Sequence, residues 1–225
     1  MEEIKVSIKN INKRYEEKII FNNFNIDIYK EKVNCILGKS GCGKSTFLNI
    51  ISGLIESDTE IQNDIKDLGI SYIFQEDRLI EWITVEENIK LIIKRKYKKS
   101  DIEKLCDKYL KIVGIYEYKN YYPQMLSGGL RQRVNIARAF IYPSKVIIMD
   151  EPFKSIDVKN KKDIIDNFKE ILKYEKRTVI FVTHDIEEAL YLSDYIYVFG
   201  EEPLKIKKKF KDIKSLAREN IEEYI

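Results

Sequence analysis

The stretch VNCILGKSGCGKST, Val33 to Thr46, decides the fold. An apolar run ends at Leu37, a loop with three glycines follows, and apolar residues at helical spacing begin near Ser45. The loop matches the pattern GxxxxGK[ST] in full and lies between a strand and a helix, as that pattern requires. Its glycines let the backbone N–H groups converge on an anion, and the helix adds its positive N-terminal end. The stretch therefore predicts a phosphate-binding loop of a P-loop NTPase.

Two side chains of this loop have chemical roles that the pattern specifies. We expect Lys44 to reach the β- and γ-phosphates of a nucleotide and Ser45 to ligate Mg²⁺. Cys42 stands where the pattern accepts any residue, and we interpret it as a tolerated small side chain rather than a redox switch. An ordinary glycine turn before a helix is the alternative, but it explains neither the strand nor the GK[ST] ending. The predicted nucleotide-binding residues of the loop are Gly38, Lys39, Ser40, Gly41, Cys42, Gly43, Lys44, Ser45 and Thr46.

Hydrophobic patterning on both sides of the loop predicts an α/β fold. Apolar or alternating runs predict strands at 4–11, at 24–37 as two strands around a charged turn, and at 69–75, 146–150, 178–184 and 196–200. Helical spacing appears at 45–55, from about 83 to 141, and at about 158–174. Strands that frame helices favour a largely parallel sheet, with the long helical stretch as an insertion. We expect one domain over 1–225, with a core of about 1–82 and 143–225 and a helical subdomain of about 83–142.

Composition sets limits on function without naming a ligand. The 225 residues are 44% apolar, enough for a sizeable core, and the formal charge of +3 is too small to indicate nucleic acid as the main partner. The three cysteines show no metal-ligand spacing, and their odd number fits a reducing cytoplasm. No signal-peptide h-region and no apolar run of membrane-spanning length is present, so any membrane partner would do the spanning. Two basic runs, 94–99 and 205–211, are expected to be solvated faces, with a membrane-surface or RNA role as the alternative.

Three polar residues follow buried-strand patterns at the edge where ligands of parallel sheets gather. VIIMDE ends in Asp150 and Glu151, and TVIFVTH ends in His184, the only histidine. We expect Asp150 to hold Mg²⁺ and Glu151 to polarise a water aimed at the γ-phosphate. His184 is either a bystander or a donor to the same phosphate. Acidic residues that merely end a strand are the alternative for the pair.

Four motifs taken together resemble the ATP-binding cassette family, the ATPase subunits of ABC transporters. They are the phosphate loop, LSGGLRQRV at 126–134, VIIMDEPF at 146–153 and THDIEEAL at 183–190, in that order along the chain. The resemblance runs from about residue 4 to residue 200. It implies a RecA-like P-loop core with a largely parallel sheet, a small antiparallel β subdomain and a helical subdomain. The stretch 57–70 is short for the family, so the β subdomain is expected to be trimmed.

The resemblance also implies roles for residues that the loop alone does not explain. Tyr15 resembles the aromatic residue that stacks on adenine, and Gln75 resembles the glutamine that touches Mg²⁺ and the attacking water. Asp157, in SIDV, resembles the residue that reaches a partner subunit, and His184 resembles the histidine that senses the γ-phosphate. The implied catalytic set is Lys44, Gln75, Glu151 and His184, and the implied metal set is Ser45, Gln75 and Asp150.

In this family two cassettes face each other head to tail, with each ATP between one phosphate loop and the other chain's LSGG. Here Ser127, Gly128 and Gly129 stand at a helix start and form a second anion site without a lysine of its own. The alternative is that these residues act only within their own chain, as a cap of the helix. Leu130 replaces the family's usual glutamine, which puts only a contact near the ribose in doubt.

The sequence FQEDRLIEWITVEENIK, from Phe74, resembles the same region in importers of nitrate, sulfonates, taurine and related solutes. The implied partners are a second ATPase subunit, most simply an identical one, transmembrane permease subunits and indirectly a solute-binding protein, without nucleic acid. The implied location is cytoplasmic, on the inner face of the cell membrane. Importers of pyrimidine precursors belong to the same broad group and stay open as an alternative.

Two other classes of function compete. ABC ATPases without a transporter, in repair, on ribosomes or in iron–sulfur assembly, usually add a coiled coil, a second cassette or other arms. A GTPase is suggested by NKKD at 160–163, which fits a guanine-reading pattern. That pattern should follow an apolar strand, whereas here a polar stretch precedes it and a helical run continues from it, which favours coincidence.

Overall fold

The computed structural model describes residues 4–154, 156, 158–211 and 213–225. They form two compact units, of which the first contains the chain through Ile70 together with Lys145–Glu151 and Arg177–Ile225. The second contains Ser71–Ser144 and Pro152–Lys176. The strands, in chain order, are β1 Lys5–Tyr15, β2 Lys18–Tyr29, β3 Val33–Leu37, β4 Gln62–Asn63, β5 Ile70–Ile73, β6 Val146–Asp150, β7 Thr178–Thr183, β8 Tyr195–Gly200 and β9 Lys205–Lys211. The helices are α1 Lys44–Ile51, α2 Val85–Ile93, α3 Lys99–Ile112, α4 Gly128–Ile141, α5 Val158–Tyr174, α6 Ile186–Leu192 and α7 Glu219–Glu222.

A mostly parallel sheet forms the centre of the first unit, in the order β6-β7-β3-β8-β9. Strand β3 pairs in parallel with β7 and β8, and β6 pairs in parallel with β7. Every residue of β3, β6 and β7 is buried. Burial on both faces explains why these strands are continuous apolar runs rather than alternating ones. Their carboxyl ends, at Leu37, Asp150 and Thr183, lie at one edge of the sheet.

A small antiparallel sheet in the same unit has the order β2-β1-β4. Strands β1 and β2 pair from Lys5↔Tyr29 to Tyr15↔Lys18, with register shifts between Ile8 and Arg14. Strand β4 is only two residues long, which fits a trimmed subdomain. This sheet, the largely parallel sheet and the helices confirm the predicted fold class.

Four phenylalanines fix the helix of the phosphate loop against both sheets of the first unit. Phe47 of α1 lies with its ring centroid 6.0 Å from that of Phe24 on β2 and 5.6 Å from that of Phe199 on β8. Phe21 on β2 completes the cluster, 5.4 Å from Phe24. Aromatic pairs at these spacings contribute about 0.5–1.5 kcal/mol each beyond their area burial. The start of α1 is therefore set by the core and not by the loop alone.

The second unit is mainly helical, with α2, α3 and α4 packed on one another and α5 packed on α4. The ring of Phe140 on α4 meets that of Phe168 on α5 edge to face, with centroids 5.3 Å apart. The unit contains all of the stretch expected to be a helical subdomain and extends beyond it on both sides, so the proposed boundaries at 82/83 and 142/143 stay predictions. The NKKD sequence lies in the first turns of α5 and not after a strand.

Strand β9 was not predicted. Residues 205–211, KIKKKFK, form an edge strand that pairs antiparallel with β8, and all five lysines are exposed. Charged edge strands prevent further strand pairing, which explains how a lysine-rich run can be a strand. Among the described residues no helix is both long and apolar enough to cross a bilayer.

Candidate functional site

The phosphate loop connects the end of β3 to the start of α1 within the first unit. Gly43 is the residue before the helix and has φ of +107°, a left-handed conformation that side chains rarely adopt. A Cβ at Gly43 would lie 2.8 Å from Cγ2 of Ile20, and one at Gly38 would lie 2.7 Å from the backbone oxygen of Phe199. A side chain at either position would therefore clash with its neighbours, and at Gly43 it would also have to adopt a left-handed backbone conformation.

The loop offers positive charge and N–H donors to an anion. Within the described part of the chain, α1 has no side-chain cap at its N-terminus and no acidic residue in its first turn. Lys44 is only 5% exposed, and its ammonium donates to the backbone oxygens of Gly38 at 2.7 Å and Lys39 at 2.8 Å. A helix N-terminus left open in this way, beside a buried lysine, fits a phosphate group. The donor set therefore suits the triphosphate of ATP.

Ser45 and Asp150 meet at the position expected for a metal ion. The Ser45 hydroxyl donates to Oδ1 of Asp150 at 3.1 Å, and Asp150 is 8% exposed at the end of β6. Among the described residues no group of three or more His, Cys, Asp and Glu side chains could hold a metal by itself. An oxygen-only pair beside a phosphate loop fits Mg²⁺, which takes few protein ligands and completes its shell with phosphates and water.

Glu151 and His184 meet beside this pair. Nδ1 of His184 lies 3.2 Å from Oε1 of Glu151, and the Glu151 side chain is 11% exposed against 51% for His184. Glu151 has φ of +42°, and its N–H donates to the oxygen of Val182 on β7 at 3.0 Å. A non-glycine residue held in this region is strained and persists only where its surroundings fix it. The turn after β6 therefore aims the Glu151 carboxylate toward His184.

The turn that carries His184 is fixed by its own hydrogen bonds. Asp185 caps α6 by accepting from the N–H groups of Glu187 and Glu188, and its own N–H donates to the Thr183 hydroxyl. That hydroxyl donates to Oε2 of the buried Glu188 at 2.6 Å. These interlocked hydrogen bonds leave His184 little freedom except rotation of its side chain. Sequence reasoning did not identify Glu188, although the apolar residues around it indicate a buried position.

Tyr15 lies at the end of β1, and its side chain is 44% exposed. The ammonium of Lys13 lies 5.5 Å from the Tyr15 ring centroid and pairs with Asp58 at 2.8 Å. Asp58 also accepts from the N–H of Arg14 at 2.7 Å. An exposed ring on an anchored strand end is available for stacking on a base. The ion pair was missed by sequence reasoning because its partners are far apart in the chain.

Gln75 and the LSGG residues belong to the second unit. Gln75 is exposed just after β5. Ser127 is the exposed N-cap of α4 and accepts from the N–H of Leu130 at 3.4 Å, and Gly128 and Gly129 begin the helix. The first turn of α4 contains no acidic residue within the described chain, which suits an anion there. Asp157 lies outside the described residues.

Two of the three cysteines are buried in the core. Cys35 and Cys106 are buried free thiols, and Cys42 is half-buried in the phosphate loop. Burial raises the pKa of the Cys106 thiol to about 12 and also raises the pKa of Cys35. Thiols with raised pKa values are poor nucleophiles at neutral pH.

Replacing Gly43 with alanine should weaken ATP binding by about tenfold or more, because left-handed strain of about 1–2 kcal/mol is joined by a clash with Ile20. Gly53→Ala is the matched control, since Gly53 also has a positive φ, of +77°, but a Cβ there meets nothing within 4 Å. Titration with a fluorescent ATP analogue would measure both, with thermal unfolding as a check on folding. Equal losses of affinity in the two variants would contradict the steric explanation.

Comparison with known proteins agrees with the geometry. The family model described as ABC transporter matches residues 21–154, which include the phosphate loop, LSGG and the pair Asp150 and Glu151. The aliphatic sulfonates import ATP-binding protein SsuB of Bacillus cereus is 38% identical over 216 residues, 90% of this chain and 84% of that protein. The Fe(3+) ions import ATP-binding protein FbpC of Fusobacterium nucleatum is 37% identical over 220 residues, 93% of this chain and 59% of that one.

A solved structure with the same fold contains nucleotide products. The dimeric post-hydrolysis state of the ATP-binding cassette MJ0796 bound to ADP and Pi has a TM-score of 0.78 and 29% identity, and the match covers 93% of this chain and 99% of that one. Family model, relatives and fold agree with the four motifs and with the geometry around Lys44. The chain therefore belongs to the ABC transporter family, as one of its ATPase subunits.

Proposed function

We propose that this chain hydrolyses ATP as the nucleotide-binding subunit of an importer of a small solute of the nitrate, sulfonate or taurine type. The observation that carries the ATPase part is the convergence of Lys44, Ser45, Asp150, Glu151 and His184 at one end of the parallel sheet. The importer part is supported by relatives named as import proteins for aliphatic sulfonates and for Fe(3+) ions. The FQEDRLIEWITVEENIK stretch supports a permease partner of the same importer group, because the ATPase subunit itself does not touch the solute.

Binding of the triphosphate begins the proposed mechanism. The open N-terminus of α1 and the loop N–H groups take the β-phosphate, and Lys44 exchanges its two carbonyl partners for phosphate oxygens. Ser45 and Asp150 would hold Mg²⁺. When bound, Mg²⁺ neutralises charge on the β- and γ-phosphates. Tyr15 stacks on the adenine.

Hydrolysis then requires a positioned water and a sensor for the γ-phosphate. The Glu151 carboxylate accepts a proton from the attacking water, and its neighbour His184 donates a hydrogen bond to the γ-phosphate. Gln75 is proposed to touch Mg²⁺ and the attacking water, as its resemblance to the glutamine of the family implies. Because phosphoryl transfer demands little covalent chemistry from the protein, positioning and electrostatic stabilisation supply most of the rate enhancement.

A second copy of the chain completes each site in this proposal. Ser127 and the first N–H groups of α4 form an anion site with no lysine of its own, and they would contact the γ-phosphate held by the partner copy. The cassette MJ0796, which has the same fold, is dimeric in two solved structures. Asp157 would reach across the same interface. The dimer closes on two ATP molecules and reopens after hydrolysis.

The permease would dock on the second unit near Trp82, the only tryptophan, whose side chain is 80% exposed. A large exposed aromatic side chain is a common feature of protein–protein interfaces. The subunit itself would then be cytoplasmic and peripheral on the inner face of the membrane, with a solute-binding protein joining the complex indirectly.

Gentle isolation of the chain from membranes tests the importer assignment. We expect a membrane subunit and a solute-binding protein to be recovered with it, and recovery with ribosomes or nucleic acid instead would support a cassette without a transporter. Trp82→Ala should reduce recovery of the membrane subunit, whereas Tyr174→Ala, at an equally exposed aromatic residue on α5, should not.

Nucleotide preference tests the ATPase assignment separately. In a binding titration we expect no preference for GTP over ATP, because NKKD lies within α5 and does not follow a strand. A strong preference for GTP would contradict the proposed function.

A further inference from the structure

The loop from Asp77 to Thr84 connects β5 to α2 and carries the exposed Trp82. Asn88 of α2 anchors one half of it, since Asn88 is 1% exposed and its Oδ1 accepts from the N–H of Ile80 at 2.9 Å. Its Nδ2 lies within hydrogen-bonding distance of the oxygens of Ile80, Ile83 and Thr84, at 3.0, 3.3 and 3.1 Å. A buried amide with this many backbone partners fixes the path of the loop.

Arg131 of α4 anchors the same loop from another direction. Its Nε and Nη2 donate to the two carboxylate oxygens of Asp77, the latter at 3.0 Å, and Nη2 also donates to Oε1 of Glu81 at 2.5 Å. Its Nη1 donates to the backbone oxygen of Pro123 at 2.9 Å. The planar guanidinium thereby joins the loop at two carboxylates and the segment before α4 at one carbonyl.

The contacts of Arg131 involve residues on both sides of LSGG in the chain. Ser127 and the two glycines lie between Pro123 and Arg131, so the guanidinium is attached to the chain on both sides of the motif. The Arg131 side chain is 20% exposed and that of Asp77 is 31% exposed. The hydrogen bond from Arg131 is the main reason that the pKa of Asp77 is below its usual value. The contacts are therefore charge-assisted and partly protected from solvent, which makes them stronger than ordinary surface ion pairs.

We propose that Arg131 is a positioning residue that couples the Trp82 loop, residues 77–84, to the LSGG motif, so that neither moves without the other. The coupling itself depends only on contacts within the second unit. Its meaning for transport rests on the proposed function, because there a permease would displace the Trp82 loop while LSGG contacts the partner's ATP. A displacement of the Trp82 loop would then shift LSGG relative to the partner's γ-phosphate, because the Arg131 guanidinium connects the two.

Amide hydrogen exchange on the full, nucleotide-free chain tests the coupling directly. Arg131→Met should speed exchange by about tenfold in both 77–84 and 126–131, because several charge-assisted bonds are lost at once. Arg131→Lys, which keeps the charge but cannot form the same bidentate contact, should give a smaller increase. Arg133→Met is the matched control: Arg133 lies on the same helix but donates to the oxygen of Val113 at 2.8 Å. Arg133→Met should leave the exchange rates of both segments unchanged.

A charge exchange separates positioning from loss of folding. Asp77→Arg combined with Arg131→Asp should bring exchange part of the way back toward the level of the unchanged chain, because the swap recreates the pair between positions 77 and 131 but not the bond to the Pro123 oxygen, whereas each single substitution should not. Faster exchange in only one segment after Arg131→Met, or equal effects of Arg133→Met, would overturn the proposal.

The change in Trp82 fluorescence on dimer formation is a measurement that destabilisation of the fold alone would not alter. In a Glu151→Gln background, MgATP should change the emission of Trp82 as the dimer forms, and adding Arg131→Met should remove most of this change per dimer formed. Dimers that keep the full Trp82 response without Arg131 would also overturn the coupling. Failure of the Glu151→Gln chain to form any ATP-held dimer contradicts the proposed function, while the exchange data still decide on Arg131.

Discussion

We expect a Ser127→Arg chain to bind ATP with the affinity of the unchanged protein but to lose ATP hydrolysis. Ser127 is the exposed N-cap of α4, and its phosphate-binding role is proposed to serve the ATP of a second copy. An arginine there loses the cap, which costs about 0.5–2 kcal/mol, and fills the space that the partner's γ-phosphate needs. Phosphate release and equilibrium binding of a fluorescent ATP analogue would measure the two effects. Ser100→Arg, at an exposed serine in the first turn of α3, is the control and should leave both hydrolysis and binding unchanged.

Mixing two inactive variants tests whether the two halves of the site come from different copies. A Ser127→Arg chain has an intact phosphate loop, and a Lys44→Ala chain has an intact LSGG motif. A head-to-tail dimer of one each contains one complete site, because both defects fall on the other site. Hydrolysis by the mixture above the sum of the separate chains is therefore expected. Full hydrolysis by Ser127→Arg alone would contradict the proposed arrangement.

The parts of the fold that were predictable share one physical property. Strands β3, β6 and β7 are buried along their whole length, so each is a short continuous apolar run that stands out in the sequence. Lys44, Asp150 and His184 follow such runs closely, and parallel pairing brings the strand ends together. For this reason the sequence alone could place Asp150 and His184 at the same edge of the sheet.

The parts that were missed depend on partners distant in the chain. Strand β9 has no apolar pattern, and only its pairing with β8 makes KIKKKFK a strand. The Arg131–Asp77 pair spans 54 residues and the Lys13–Asp58 pair 45, and charged residues at such separations have no local signature. Tyr15 lies between these two groups, because no local pattern selects it among the fifteen tyrosines and only the family resemblance does. The structure places it at an exposed strand end.

Replacing Glu151 with glutamine should slow ATP hydrolysis by about two to four orders of magnitude, the usual contribution of a general base, while ATP binding is unchanged. Glutamine has the same shape and can keep the contact with Nδ1 of His184, but its amide cannot accept the proton of the attacking water. The nucleotide then stays intact, and we expect an ATP-held dimer to accumulate, visible by size-exclusion chromatography with MgATP.

A matched control distinguishes this loss from a general effect of removing a carboxylate near the site. Glu187→Gln changes an exposed residue of α6 that pairs with Arg218 at 3.3 Å, and it should hydrolyse ATP normally. If Glu151→Gln turned over ATP at the rate of the unchanged chain, Glu151 could not be the base. The strained backbone at Glu151, with φ of +42°, would then have to serve another purpose. Because that conformation aims the carboxylate at His184 rather than at solvent, loss of hydrolysis is the result that the geometry favours.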